Sequence, residues 1–439
     1  MNPLHTIYNL IGHGIATPLI PALWFRSRRD RQEMERFHQR LGRYPQSIRG
    51  NDAERPHIWL HAVSVGEAGV AQAIAGVLWN ELPDCRIMLS AATRQGLARA
   101  RTQWPTPGDV FYAPFDLPAP TQRAIQHFQP DVLAILETEI WPNLIITARR
   151  AGIRTALLNG RISVRTIRRY HLVRPLMRYT LSHLDALSMI SEADAHRIVS
   201  LGAPHHKVAV HGNAKFDCPD PQADGERAKT WAADLFGLTA ETPVFVAGST
   251  REPEEGILLD AFLQIRKVFP EAVLIVAPRH TQRVPRVEQW IREKGLTSQR
   301  RTRLNAGTGF RSAPVVVLDT IGELSDAYSM ARFVFCGGSL APKGGQNLLE
   351  PALWAKPVMY GPSMEDFADA KQLVEDSGGG VQINGADELA ALAIDWLKHP
   401  RKAEALGRAS RRAVLSHRGA AQTHAAVVLR LLGRGKQCG

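Results

Sequence analysis

The chain has 439 residues, of which 44% are hydrophobic and 22% charged, enough apolar material for two domain cores rather than one. Cys85, Cys218, Cys336 and Cys438 are widely spaced with no CxxC pair, which excludes a disulfide scaffold, argues against a structural zinc site and fits a reducing compartment. A net charge of +12 and a pI near 9.8 call for an anionic partner: nucleic acid, anionic lipid or a phosphorylated substrate.

The first element is apolar. Met1 to Phe25 contains no Asp, Glu, Lys or Arg, and Arg26, Arg28, Arg29, Arg31, Arg36, Arg40 and Arg43 come directly after it. Such a stretch can just span a hydrocarbon layer of roughly 30 Å. Asn9, His13, Pro18 and Pro21 interrupt it and equally suit a helix lying in the interface, or one packed on the protein's own surface. Residues 1–25 are therefore expected to anchor the chain to a membrane, with the arginines placing the remainder of the chain in the cytoplasm. No basic residue precedes the run, which argues against a cleaved signal peptide. A second one-sign stretch lies between Glu139 and Asp185, where Arg149, Arg150, Arg154, Arg161, Arg165, Arg168, Arg169, Arg174 and Arg178 meet no acidic residue. Neither stretch interleaves aromatics with its arginines, so no nucleic acid is expected. A phosphate-bearing membrane lipid accounts for both.

From residue 57 on, short apolar runs alternate with helical patterns. Ile58–Val63, Arg86–Ser90, Val110–Tyr112, Val132–Leu136, Thr155–Leu158, Ala186–Ile190 and Val208–Val210 read as buried strands. Glu67–Leu82, Ala98–Gln103, Thr121–Phe128 and Glu192–Leu201 carry helix signals. This repetition predicts an α/β, doubly wound parallel sheet. Residues 212–242, rich in turn formers around Cys218–Gly225, read as a linker. Val244–Ala247, Val273–Ala277, Val315–Leu318, Phe333–Cys336 and Pro357–Tyr360 begin a second series, and a helical tail rich in Ala, Leu and Arg runs to about Leu432. The expected organisation is a membrane segment over 1–25, a Rossmann-like domain over 26–211, the linker, and a second Rossmann-like domain with the tail over 243–432. Ligands are expected in a cleft between the two, at the carboxyl ends of the strands.

Six segments sit at such ends. His61-Ala62-Val63-Ser64-Val65-Gly66-Glu67 enters a helix near Ser64 or Gly66; Glu67 either complements the helix dipole or takes a proton from a hydroxyl. Glu137 and Glu139 alternate after Val132–Leu136, so one of them faces the cleft, or both serve a helix starting at Pro142. Lys215, in Gly212–Asp217, can neutralise a sugar acid or phosphate, or be a surface lysine. Ala247–Arg251 and Ala277–His280 offer small residues, hydroxyls and the Arg279 guanidinium to a bound anion. Cys336–Pro351 has two Gly-Gly pairs opening onto a helix begun by Asn347, which suits a phosphate at the helix start with Glu350 accepting from ribose hydroxyls. It is neither a Walker A loop nor GxGxxG, so nucleotide hydrolysis and nicotinamide binding lose support.

Taken together, HAVSVGE, ETEIWPN, LNGRIS, GNAKFD, APRH, GGSLAPKGGQNLLEP and KPVMYGP, in this order, resemble the bacterial 3-deoxy-D-manno-octulosonic acid (Kdo) transferases, from the apolar N-terminus to at least Gly361. The resemblance implies a GT-B fold and an inverting glycosyltransferase of the inner membrane's cytoplasmic face. It implies CMP-Kdo as donor, lipid IVA (the lipid A precursor) as acceptor, lipopolysaccharide inner-core synthesis as the setting, and neither cofactor nor metal in the transfer step. It makes Glu67 the general base, and Glu137 and Lys215 stabilisers of the transition state. It assigns CMP binding to Pro278, Arg279, Ile321, Gly322, Glu323, Asn347, Leu348, Leu349 and Glu350. The chain departs from many members at Gln346, where His is usual; Gln can donate a hydrogen bond but cannot carry a proton. A related enzyme using a UDP-sugar on another membrane lipid, or a non-catalytic binder of anionic lipid, are the competing readings.

Overall fold

Short apolar strands alternating with helices become two units, each a parallel sheet: Met1–Cys218 with His417–Gly439, and Pro219–Ser416. The computed structural model describes residues 3–28, 30–45, 48, 55–63, 65–106, 109–217, 220–239, 241–304 and 311–433. Ser64, Cys218 and Pro219, part of the expected helix start and linker, lie outside the described residues.

The first sheet contains β1 (His57–His61), β2 (Arg86–Ala91), β3 (Val110–Tyr112), β4 (Val132–Leu136), β5 (Arg154–Gly160), β6 (Ala186–Met189) and β7 (Val208–Val210). Its order is β3-β2-β1-β4-β5-β6-β7, parallel throughout. Both faces are covered. Ile58 and Leu60 enter one apolar cluster while Trp59, between them, enters the other. That period of two on a doubly buried strand is why the runs are continuously apolar. The order reverses between β1 and β4, so the loops after these strands frame the crevice where doubly wound sheets take ligands.

The second sheet contains β8 (Val244–Thr250), β9 (Val273–Pro278), β10 (Ser298–Arg300), β11 (Val315–Val317), β12 (Phe333–Cys336), β13 (Val358–Tyr360) and β14 (Gly380–Gln382). The order β10-β11-β9-β8-β12-β13-β14 puts its reversal between β8 and β12. β10 and β14 are edge strands of three residues without an apolar run, which is why periodicity passes them by.

Three expectations need correcting. Residues 212–242 are not a linker separate from both domains: they are divided between the two units, and Gly225–Phe236 is a helix that buries Leu235 and Phe236 in the second unit's core. The tail is divided rather than wholly assigned to the second domain. Its last helix, Ala420–Leu431, buries Ala420, Ala421, Ala425, Val427 and Val428 in the first unit, against the helix Val65–Glu81. Small residues on both helices, among them Ala68, Ala71 and Ala75, allow that close approach. Finally, the apolar N-terminus is one helix, Pro3–Ser27, but no helix among the described residues is long and apolar enough to cross a membrane. One face of it is tied to the first unit: His5 Nε2 donates to Asn143 Oδ1 at 2.8 Å and the Tyr8 hydroxyl to Asp116 Oδ2 at 2.8 Å. On its other side Ile7, Leu10, Ile11, Ile15 and Phe25 are 50–67% exposed.

Candidate active site

In the first unit the candidate side chains lie at the carboxyl ends of the parallel strands. Glu67 lies in the first turn of Val65–Glu81, and its Oε2 accepts from the Val63 N–H at 2.6 Å. The bond satisfies an amide that a helix start leaves without a partner and fixes the carboxylate, which is buried at 7% exposure. His61, at the end of β1, is wholly buried, with Nδ1 2.8 Å from Ser90 Oγ and its ring against Trp141. Burial lowers its pKa to about 3, so it is a neutral wall of the site and not a proton carrier near pH 7.

Glu137 follows β4 in the left-handed region, with φ of 56°. A non-glycine residue there is strained by about 1–3 kcal/mol and persists when its surroundings dictate it. Here its N–H donates to Leu158 O at 3.1 Å and its Oε1 lies 2.7 Å from Lys215 Nζ. The other carboxylate of the alternating pair, Glu139, accepts instead from Trp141 Nε1 at 2.7 Å; burial raises its pKa. Lys215 sits in the short turn Ala214–Asp217, against which the helix carrying Glu67 packs. That turn is held from three sides. Asn159 Oδ1 accepts from the Ala214 N–H at 2.8 Å. His424, on the last helix, contacts Gly212 O through Nε2 at 3.1 Å and Ser188 Oγ through Nδ1 at 2.6 Å. The Asp217 carboxylate accepts from the N–H groups of Gly419 and Ala421 at 2.6 and 2.7 Å. Glu67, Glu137 and Lys215, scattered in sequence, are thus brought to one end of one sheet.

In the second unit, Pro278 ends β9 and the Arg279 N–H donates to Thr250 O at 3.0 Å. Partial burial lowers the pKa of His280, as do the charges of Arg251, Arg279 and Arg283 in its neighbourhood. Arg283 is engaged by Glu255 at 2.7 Å, whereas Arg251 Nε is buried with no hydrogen-bond partner. Gly322 has φ of 98°, Ile321 stands 89% exposed, and Glu323 is bonded to Arg301 at 2.7 Å and to the Thr320 hydroxyl. Asn347 Oδ1 accepts from the Leu349 N–H at 3.0 Å and its Nδ2 donates to Glu350 at 3.3 Å. Leu348 and Leu349 have buried side chains, so only their backbones are available to a ligand.

The glycine loop differs from expectation. The helix begins at Leu349, not Asn347, and ends at Leu353, too short for a strong dipole. The loop's amides are already engaged by a protein anion. Glu254, with no exposed surface, accepts from Gly338 at 2.7 Å, from Ser339 and Leu340 at 2.8 Å each, and from Ala341 at 3.2 Å. A phosphate cannot use the same N–H groups without displacing a buried carboxylate.

Comparisons with known proteins extend these observations. The family described as 3-deoxy-D-manno-octulosonic-acid transferase (kdotransferase) matches residues 35–218. A 3-deoxy-D-manno-octulosonic acid transferase of Bordetella pertussis is 31% identical over 429 residues, 94% of this chain and 96% of the relative. The chain belongs to the 3-deoxy-D-manno-octulosonic acid transferase family. It is a glycosyltransferase. A bifunctional glycosyltransferase/methyltransferase of Fusobacterium nucleatum is also 31% identical, over 80% of this chain, which spans 54% of that protein. A glycosyltransferase structure from Rickettsia africae superposes with a TM-score of 0.55 at 11% identity, covering 86% of this chain and 99% of the other. With the two parallel sheets, that likeness gives the Kdo transferase a GT-B fold.

Sequence reasoning missed two parts of this Kdo transferase's site. Glu254 opens the helix Glu254–Val268, and an acid in a first turn is an ordinary dipole complement. Only its complete burial among the loop amides marks it as different. His424 is one polar residue on an otherwise Ala- and Val-lined helix face, a weak signal that becomes legible once its helix is known to return to the first sheet.

Proposed function

We propose that this chain is an inverting transferase that moves Kdo from CMP-Kdo to lipid IVA in building the lipopolysaccharide inner core, at the cytoplasmic face of the inner membrane. The observation that carries the reading is the Glu137–Lys215 pair, 2.7 Å apart on a strained backbone at the reversal point of the sheet that also presents Glu67. A buried acid that holds a partly exposed cation so tightly serves charge that changes during a reaction better than it serves stability alone. In the transfer, Glu67 takes the proton of the acceptor's sugar hydroxyl as that oxygen attacks the anomeric carbon of Kdo. The bond to the phosphate oxygen breaks with its electron pair on CMP. Lys215, oriented by Glu137, stabilises negative charge at the reacting centre, and Arg279 steadies the departing phosphate. Pro278, Ile321, Gly322, Glu323 and Asn347 to Glu350 complete the donor site. No metal and no cofactor are assigned to the step.

The acceptor side draws on charge and apolar surface. Arg28, Arg31, His38 and Arg43 line an open groove, with Asp30 and Glu35 the two acids among them. Arg168, Arg169, Arg174 and Arg178 are exposed, while Arg149 and Arg154 of the same stretch pair with Asp185. The outward apolar face of Pro3–Ser27 suits a helix lying in the headgroup region. Mass spectrometry of lipid IVA incubated with CMP-Kdo and the protein tests the reading. Added Kdo mass is expected; unchanged lipid in the presence of folded protein refutes it. Displacement of the donor by UDP rather than CMP would instead favour a UDP-sugar.

A further inference from the structure

Buried carboxylates are normally neutralised by a cation or saturated with donors. Glu254 is saturated, and the donors are unusual. Besides the four loop amides, the Arg251 N–H reaches Glu254 Oε2 at 2.8 Å, so five backbone N–H groups converge on one side chain. They come from the loops after β8 and β12, the two strands that flank the reversal point. A run of amides curled around an anion is the arrangement with which proteins bind phosphate. Here the protein supplies the anion itself.

The rest of the loop is built on that contact. Ser339 Oγ accepts from the Gly361 N–H at 2.8 Å, the Gly345 N–H donates to Gly338 O at 2.8 Å, and the Gly344 N–H donates to Ser363 Oγ at 2.9 Å. Space is tight: a Cβ on Gly361 would lie 2.4 Å from Leu340 N and Ser339 O, both backbone atoms. Gln346 and Asn347 come directly after, so the residues expected to meet the donor hang from a loop whose shape Glu254 sets.

We propose that Glu254 is a positioning residue for donor binding, an internal anion that fills the amide nest of the glycine loop and fixes Gly338–Asn347 before the donor arrives. The donor's negative groups then fall to side chains, with the Arg251 guanidinium and Arg279 nearest the same strand ends. The proposal rests on the reading that CMP-Kdo is the donor. Glu255 provides the control. It is equally buried, but it is bonded to Thr250 and Arg283 and touches no loop amide.

Glu254→Gln would turn an amide NH2 toward loop N–H groups and reverse one side of the nest. We expect the KM for CMP-Kdo to rise at least about tenfold with kcat within about threefold, while Glu255→Gln keeps KM within about twofold. A merely structural role would give both variants the same loss of stability and the same KM. Wild-type KM in folded Glu254→Gln, or equal rises in both variants, overturns the proposal. Amide hydrogen exchange on the wild-type full chain decides the matter even where a variant fails to fold. Residues 338–341 should be protected without ligand, with less than about a twofold change on adding CMP. Rapid exchange that slows on CMP binding would make the loop the donor's anion site and sink the idea. Because this readout needs no turnover, failure of the Kdo-transfer reading would be seen separately, as unchanged lipid.

Discussion

Breaking the Glu137–Lys215 pair in a double-mutant cycle tests whether the site is held by strain and charge. The two atoms are 2.7 Å apart, with side-chain exposures of 11% for Glu137 and 26% for Lys215. At an effective dielectric of about 20, the attraction at that distance is about 6 kcal/mol before desolvation is subtracted. Loss of one partner from a buried pair typically destabilises by about 3–5 kcal/mol. Lys215 is a quarter exposed, so solvent screening reduces this to about 2–3 kcal/mol for Lys215→Met. For a unit of this size, that corresponds to about 5–10 °C in Tm. Glu137→Gln keeps the side-chain shape and the left-handed backbone, isolating the charge. The double variant should recover about 2 kcal/mol relative to the sum of the single changes. Urea unfolding, followed by near-UV circular dichroism, measures all three. Additivity within about 0.5 kcal/mol would refute the coupling, and transfer activity retained by both single variants would refute the catalytic assignment.

Glu67→Gln and Glu67→Ala should lower transfer by about 100-fold to 10,000-fold while CMP binding by calorimetry is unchanged; residual turnover near wild type would remove Glu67 from the mechanism. Burial lowers the pKa of His61 to about 3 and of His424 to about 4, from 6.5. Both bind fewer protons folded than unfolded, so their stabilisation is complete above pH 6.5 and fades as the pH falls towards 4, by about 1.4 kcal/mol per pH unit for each. His424→Gln should therefore flatten the acid limb of the stability curve relative to wild type, and an unchanged slope contradicts the assignment. Gly361→Ala forces a methyl against backbone atoms 2.4 Å away and should destabilise the second unit by about 1–3 kcal/mol; wild-type thermal unfolding would show that the loop can give way. Replacing Leu10 and Ile15 with Asp should abolish co-sedimentation with anionic vesicles, and undiminished binding would exclude the N-terminal helix as the membrane contact.

Much of the architecture was legible because both sheets are parallel and covered on both faces. Doubly buried strands such as Val132–Leu136 and Val273–Pro278 are uninterrupted apolar runs, and helices must connect them. The edge strands Ser298–Arg300 and Gly380–Gln382 contain no such apolar run, which hid them. Position after a strand marked the segments that carry Glu67, Glu137 and Lys215, and the family resemblance singled out the residues within them. That Lys215 reaches Glu137 depends on tertiary contacts, the return of the last helix above all. The glutamate inside the glycine loop was not legible, for a definite reason. Gly-Gly pairs announce amides that will bind an anion, but not whether the anion is a ligand or a glutamate far away in the chain, as Glu254 is from Gly338.

The return of Ala420–Leu431 to the first unit also bears on how the chain reaches its native state. Pro219–Ser416 is contiguous and can complete its core as soon as it is synthesised. The first unit, although made earlier, lacks Ala421, Ala425 and Val428 from one face of its core until the very end. Its Lys215 turn likewise waits for the amides of Gly419 and Ala421. During translation, then, the half that carries Glu67 is the one still open, with apolar surface on the helix Val65–Glu81 awaiting its cover. The turn that carries Lys215 is completed last, after the whole second unit has been made, so a chain cut short before Gly419 lacks the amides that hold it.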